Sequence, residues 1–205
     1  MSSAERRQAP VREIAYHEAG HAVMAYLRRQ RFKAVSIIPN VDPDFRSDGR
    51  LEPWPRPSSR TRPLMSSLDR VESEIMIRLA GPIAEGLCAR RRPRWTTNPH
   101  NSTDFDHARI YAGLAAENNR LVTGLTRWRR FYIPARREEE ILSHVAWLAL
   151  RAEGLLTRDE NWTAVQAVAA DLLKSRRIGY RRARQIIAGA LAKPAGGEEW
   201  AGRRT

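Results

Sequence analysis

The sequence predicts an α+β domain that is predominantly α-helical, with a small β-sheet and a C-terminal helical bundle. Three observations carry that expectation. Apolar residues recur at helical spacing through most of the 205 residues, one short β-branched run is stopped by proline and asparagine, and turn-forming residues concentrate in a few stretches. A chain of this length fits one ordinary domain and can bury a real core without disulfides.

Residues 11–29 are expected to form the first helix. Val11, Ile14, Glu18, His21 and Ala25 share one stripe, while Tyr16, Ala19, Val23, Met24 and Leu27 share another. Two apolar flanks imply a largely buried helix. Residues 34–39 (Ala-Val-Ser-Ile-Ile-Pro) read as a strand. The loop that follows, 42–63, holds five prolines, and Gly49-Arg50-Leu51-Glu52 within it could form a second short strand. Helical spacing returns over 67–87 at Leu68, Val71, Ile75, Leu79, Ile83 and Leu87, with Asp69 and Glu72 complementing the first turns. After a basic, Thr/Asn/Pro-rich loop, a third helix is expected near Ser102 or Thr103, where Thr103 and Asp106 resemble a capping box. Further helical patterns cover 136–153, 162–173 and 180–191. Residues 1–9 are expected to be a flexible N-terminus, 10–193 the domain, and the Gly- and charge-rich 194–205 a disordered tail.

The net charge of +13 comes from 36 basic against 23 acidic residues. Apart from Lys33, Lys174 and Lys193 the basic residues are arginines, with runs at 90–92, 127–130 and 176–177. Such runs suit nucleic acid, anionic lipid or an acidic protein, but without a recognition motif they read first as solvated faces. Cys88 is the single cysteine, so no intramolecular disulfide can form, which fits a reducing, cytoplasmic setting. No apolar stretch reaches the eighteen or so residues of a membrane span, and no apolar core follows the charged N-terminus as a signal peptide would require.

The chemistry concentrates in His17-Glu18-Ala19-Gly20-His21. Four residues along a helix separate two side chains by roughly 40° around the axis, so both imidazoles can reach one ion. Neutral imidazoles bind Zn²⁺ at ~2.0–2.1 Å, and the pattern His-Glu-x-x-His is a zinc-protease signature with the glutamate as general base. Glu18 would take a proton from water and pass it to the leaving amine. Gly20 costs ~1 kcal/mol in a helix relative to alanine, which points to a second element approaching closely there. A catalytic zinc needs three protein ligands and one open position. The residue chemistry leaves the third ligand open among Asp104, Asp106, His100, His107, Glu72 and Glu85.

The segment Ala15-Tyr16-His17-Glu18-Ala19-Gly20-His21-Ala22-Val23 resembles the active-site helix of peptidase family M41, the FtsH-like membrane-anchored ATP-dependent zinc proteases. Val35-Ser36-Ile37-Ile38-Pro39 is similar to the strand that follows it. Leu68-Asp69-Arg70 and Leu79-Ala80-Gly81-Pro82-Ile83-Ala84-Glu85-Gly86-Leu87 are similar to the next helix, in the same order and spacing. The resemblance covers residues 10–115 with specific motifs, leaving 116–193 as a helical part. It implies a zincin-like active-site helix, Zn²⁺ as cofactor, and a third ligand opening a later helix, which falls on Asp104. Where the family has an Asn-Asp step this chain has Thr103-Asp104, and the loop before it is Thr96-Thr97-Asn98-Pro99-His100-Asn101.

The expected activity is hydrolysis of peptide bonds in flexible or unfolded polypeptide, with His17, His21 and Asp104 as ligands and Glu18 as base. Substrate would add as a strand along Val35, Ser36, Ile37 and Ile38, giving low sequence specificity. No Gly-x-x-x-x-Gly-Lys-Ser/Thr loop occurs in the 205 residues, so the expectation is a peptidase domain independent of ATP in cis, or one that docks on a separate ATPase or adaptor. The competing reading is an inactive or regulatory module whose arginine surface holds nucleic acid or an acidic protein.

Overall fold

The computed structural model of the chain describes residues 3–39, 50–53, 68–93, 103–116 and 135–192. Among them are helices α1 (Ser3–Leu27), α2 (Leu68–Ala89), α3 (Thr103–Ala116), α4 (Ala135–Leu156), α5 (Asp159–Ser175) and α6 (Tyr180–Leu191). Strands β1 (Phe32–Ser36), β2 (Arg50–Pro53) and β3 (Arg177–Gly179) complete a predominantly helical α+β architecture. The expected tail, the 127–130 arginine run and His100 lie outside the described residues. No described helix is long and apolar enough to cross a membrane.

Helix α1 begins ahead of Val11 and takes in most of the segment expected to be flexible, because Ala4, Glu5, Arg6, Arg7 and Gln8 are strong helix formers that extend it backwards. Its central turns are buried on nearly every side, as the two apolar flanks required: Ala15, Ala19, Ala22, Val23 and Met24 are inaccessible or almost so. They pack against Val71, Ile75, Met76, Leu79, Ala80, Ile83 and Ala84 of α2.

The two helices run antiparallel. Arg28 at the end of α1 donates to Ser73 Oγ (2.9 Å) and Asp69 Oδ1 (2.6 Å) near the start of α2. Glu13, early in α1, meets Arg91 just beyond the end of α2. Between these ties the backbones come very close: a Cβ on Gly20 would collide with the Ala80 carbonyl oxygen and lie 2.7 Å from Ala84 Cβ. The mid-helix glycine therefore has the packing reason its cost demanded.

The remaining helices close around this pair. Helix α4 packs on α2 and α3, and α5 lies between α1 and α6. Leu148, Leu156, Leu172 and Ile187 are fully buried there, each contributing about 1.5–3 kcal/mol of transfer free energy. Asn161, also buried, donates to the Leu155 carbonyl (2.7 Å) and ties the α4–α5 turn.

The sheet has the order β2-β1-β3, antiparallel throughout, with Val35 opposite both Leu51 and Ile178. Strand β3 has no alternating apolar signature, only Ile178 between exposed neighbours, and its pairing with β1 is a product of how α5 and α6 bring it there.

Alanine at Gly20 should lower stability by about 1–2 kcal/mol in chemical denaturation, since overpacking at a backbone contact outweighs the ~1 kcal/mol of helix propensity gained. Gly189, inside α6, is the control, because a Cβ added there would meet nothing within 4 Å: Gly189→Ala should stabilise by roughly 0.5–1 kcal/mol. Equal effects at both sites would refute the close-crossing argument.

Candidate metal centre

Helix α1 presents His17 and His21 one turn apart, and α3 brings Asp104 to them from its first turn. The three form the one His/Cys/Asp/Glu group among the described residues able to hold a metal ion. His17 Nε2 lies 3.0 Å from Asp104 Oδ2 and 3.1 Å from His21 Nε2, and His21 Nε2 lies 3.3 Å from the same oxygen. Bonds of ~2.0–2.1 Å in a tetrahedral site put neighbouring donors about 3.3 Å apart. The triangle has that size.

The outer nitrogens explain why the inner ones face each other. His21 Nδ1 donates to the Ile77 carbonyl (2.6 Å), and His17 Nδ1 donates to Glu85 Oε2 (2.9 Å). With those protons placed, a neutral ring at each position directs its Nε2 lone pair at the Asp104 carboxylate. Three acceptors converging on one point repel unless a cation stands among them. This is the outer arrangement found around metal-ligating histidines, in which the second ring nitrogen is held by a carboxylate or carbonyl.

Without an ion, a proton performs that role. Burial works against charge on His17, but the hydrogen bonds it donates to Asp104 and Glu85 outweigh that and raise the imidazole to about 10. Asp104 is held well below the usual carboxylate range: burial opposes this, and the His21 and His17 interactions overcome it. Its second oxygen faces the guanidinium of Arg78 at 3.4 Å.

Glu18 sits among the ligands without joining them. It is 4% exposed, its Oε2 has no hydrogen-bond partner, and burial pushes its carboxyl up, against the opposing pull of His21 and His17. An ionisable group so placed belongs to function more often than to stability.

Of the rival ligands, Glu85 supports His17 from outside, and Glu72 faces Arg151 (3.6 Å) on α4. Asp106 and His107 stand outside the metal-competent group. Gly81, which the motif contained without its reason, is part of the site's construction. A Cβ there would collide with His21 Nε2 and lie 2.8 Å from His17 Cδ2, so only glycine lets α2 back directly onto both rings.

The expected substrate edge at 35–38 needs correction. Val35 and Ser36 lie in the central strand and are paired on both sides, with Leu51 and Arg50 of β2 and with Ile178 and Arg177 of β3. The Ile37 N–H donates to the Arg176 carbonyl (2.8 Å) and the Ile38 N–H to Ser36 Oγ (3.1 Å). Val35, Ser36 and Ile37 are buried, leaving only Ile38, at 47% exposure, accessible. A run of β-branched residues does not reveal which strands flank it, and β3 arrives from far downstream. Among the described residues the outer edges of this sheet are those of β2 and β3.

No protein-family model and no curated protein sequence matches the chain.

Metal analysis should find one divalent ion per chain, lost in His17→Ala and Asp104→Ala and retained in Glu18→Gln. Gly81→Ala should weaken binding by roughly 10–100-fold, as changes that disturb ligand orientation do, with the helical circular dichroism preserved. Because ion-free His17 stays protonated below about pH 10, Zn²⁺ uptake at pH 7 should release a proton. Uptake with no proton release would contradict the assignment of His17.

Proposed function

We propose that this chain is a zinc-dependent metallopeptidase of the M41-like kind, hydrolysing peptide bonds in flexible or unfolded polypeptide. The observation that carries the reading is Glu18: a buried carboxylate with an unpartnered oxygen, set beside three donor atoms that converge on one point. A purely structural zinc site closes its tetrahedron with four protein ligands. Among the described residues the group has three, and a structural role leaves the desolvated Glu18 unexplained.

Two imidazoles and one carboxylate suit Zn²⁺ and also the iron(II) of some oxygenases. The placement of both histidines and the base on one helix favours zinc and hydrolysis. When bound, zinc would supply Lewis acidity, polarising the scissile carbonyl and making water a better acid. Glu18 accepts a proton from the attacking water as the water oxygen bonds to the carbonyl carbon, and returns it to the nitrogen as the C–N bond breaks. Its raised proton affinity suits both transfers. His17 and His21 keep their Nε2 atoms inward through Glu85 and Ile77, and Asp104 supplies the negative charge that balances the ion.

The resemblance also supports a separate ATPase or adaptor as partner, which would deliver unfolded chain. Polypeptide could add as a strand at an outer sheet edge, β2 or β3.

Purified protein should cleave an unfolded protein substrate, cease on chelation and recover with Zn²⁺. Glu18→Gln should cut the rate by roughly 10²–10⁴-fold with its metal in place. A protein that binds zinc yet cleaves nothing, and whose nucleic-acid binding is unaffected by Glu18→Gln, would favour the arginine-surface module instead.

A further inference from the structure

Helix α2 ends in a Schellman motif. The Arg91 N–H donates to the Gly86 carbonyl (2.9 Å) and the Arg90 N–H to the Leu87 carbonyl (3.3 Å), with Arg90 at φ 53° in the left-handed region. The chain folds back tightly enough that a Cβ on Gly86 would lie 2.8 Å from the Arg91 carbonyl oxygen. This return carries Arg91 back to Glu85, in the turn the chain has just left. There, Nη2 donates one N–H to Glu85 Oε1 (2.5 Å) and the other to Glu13 Oε2 (2.9 Å). Glu13 precedes His17 by one helical turn, and the other oxygen of Glu85 accepts from His17 Nδ1.

We propose that Arg91 is a positioning residue for the cation site. By holding Glu13 and Glu85 together it fixes the His17 ring with Nε2 turned toward His21 and Asp104. The inference rests on reading that cluster as a metal centre. Two carboxylates converging beside an imidazole repel one another, and each gains by turning to solvent. A guanidinium bonded to both holds them in place and leaves Glu85 one orientation, in which its other oxygen accepts the His17 Nδ1 hydrogen bond. Arg91 stands outside the donor triangle and acts through Glu85. As partly exposed ion pairs these contacts contribute little to stability, so their effect falls on the direction of the ring. Arginine supplies both bonds from one nitrogen, so an ammonium that reaches the same point can replace much of it.

The test is Zn²⁺ affinity, measured by competition with a chromophoric chelator, beside the melting temperature of the metal-free protein. Arg91→Met should weaken binding by roughly 10–100-fold, and Arg91→Lys should recover most of that. In a Glu85→Gln background Arg91→Met should add less than about threefold, because residues acting in series do not contribute independently. If the methionine variant does not fold, Arg91→Gln carries the same comparison. Unchanged affinity in Arg91→Met, equal losses in both backgrounds, or a lower metal-free melting temperature with unchanged affinity would each overturn the proposal. Wild-type protein that takes up no Zn²⁺ overturns the metal centre and this inference together. Zinc binding without proteolysis leaves the affinity comparison decisive and counts only against the peptidase reading.

Discussion

The close antiparallel contact of α1 with α2 is the constraint on which the rest depends. Gly20 on one helix and Gly81 on the other omit side chains at two places where an added Cβ would collide with the partner. Gly20 admits the α2 backbone at Ala80, and Gly81 admits the two histidine rings of α1. The same approach brings the Ile77 carbonyl within reach of His21 and Glu85 within reach of His17. Packing and site geometry are therefore one arrangement. A wider crossing would leave the core short of contacts and the imidazoles free to turn. Pro82, which cannot donate to the Arg78 carbonyl one turn back, falls in this same stretch of α2.

Electrostatics then decide what the crossing can hold. Both outer ring nitrogens are committed as donors, so the inner nitrogens and Asp104 form a pocket of acceptors that needs positive charge at its centre. In the ion-free protein His17 keeps a proton there, which is why its affinity for that proton is so far raised. A metal ion would compete with that proton for one position, and the same hydrogen bonds that favour the proton orient the three donors toward it. Glu18, close by, retains a buried oxygen with no hydrogen-bond partner.

Among the described residues, several arginines have individual tasks in the fold. In the 90–92 run, Arg90 takes the left-handed turn that ends α2 while Arg91 bridges two carboxylates. In the 176–177 pair, Arg176 ends α5 in the same conformation, and Arg177 grips Glu52 across the sheet with two bonds (2.9 and 3.0 Å). Arg28 links the ends of α1 and α2, and Arg109 on α3 reaches Glu138 on α4. Planar, multidentate guanidinium suits such ties better than lysine does. Runs that read as undivided surface charge thus include internal fastenings between elements.

What the sequence by itself determined is whatever depends on neighbours along one element. The helical spacing located α2 and α6 to within a few residues, α6 at both ends, and the Thr103–Asp106 capping pattern placed the start of α3. The four-residue interval of His17 and His21 required a shared face, and a glycine amid a buried helix required a close partner. Which residue approached could not be read there. Asp104 was singled out by resemblance; its position against the histidines, the conversion of Glu85 from rival ligand to outer support, and the role of Arg91 all come from contacts between distant segments. The central place of β1 was hidden for the same reason, since a strand's own residues fit an edge or a centre equally well and β3 carries almost no strand signal. Local periodicity is set by bonds between near neighbours along the backbone. The pairing of α1 with α2 and of β1 with β3 is set by how closely separate backbones can pack, and only the folded chain settles that.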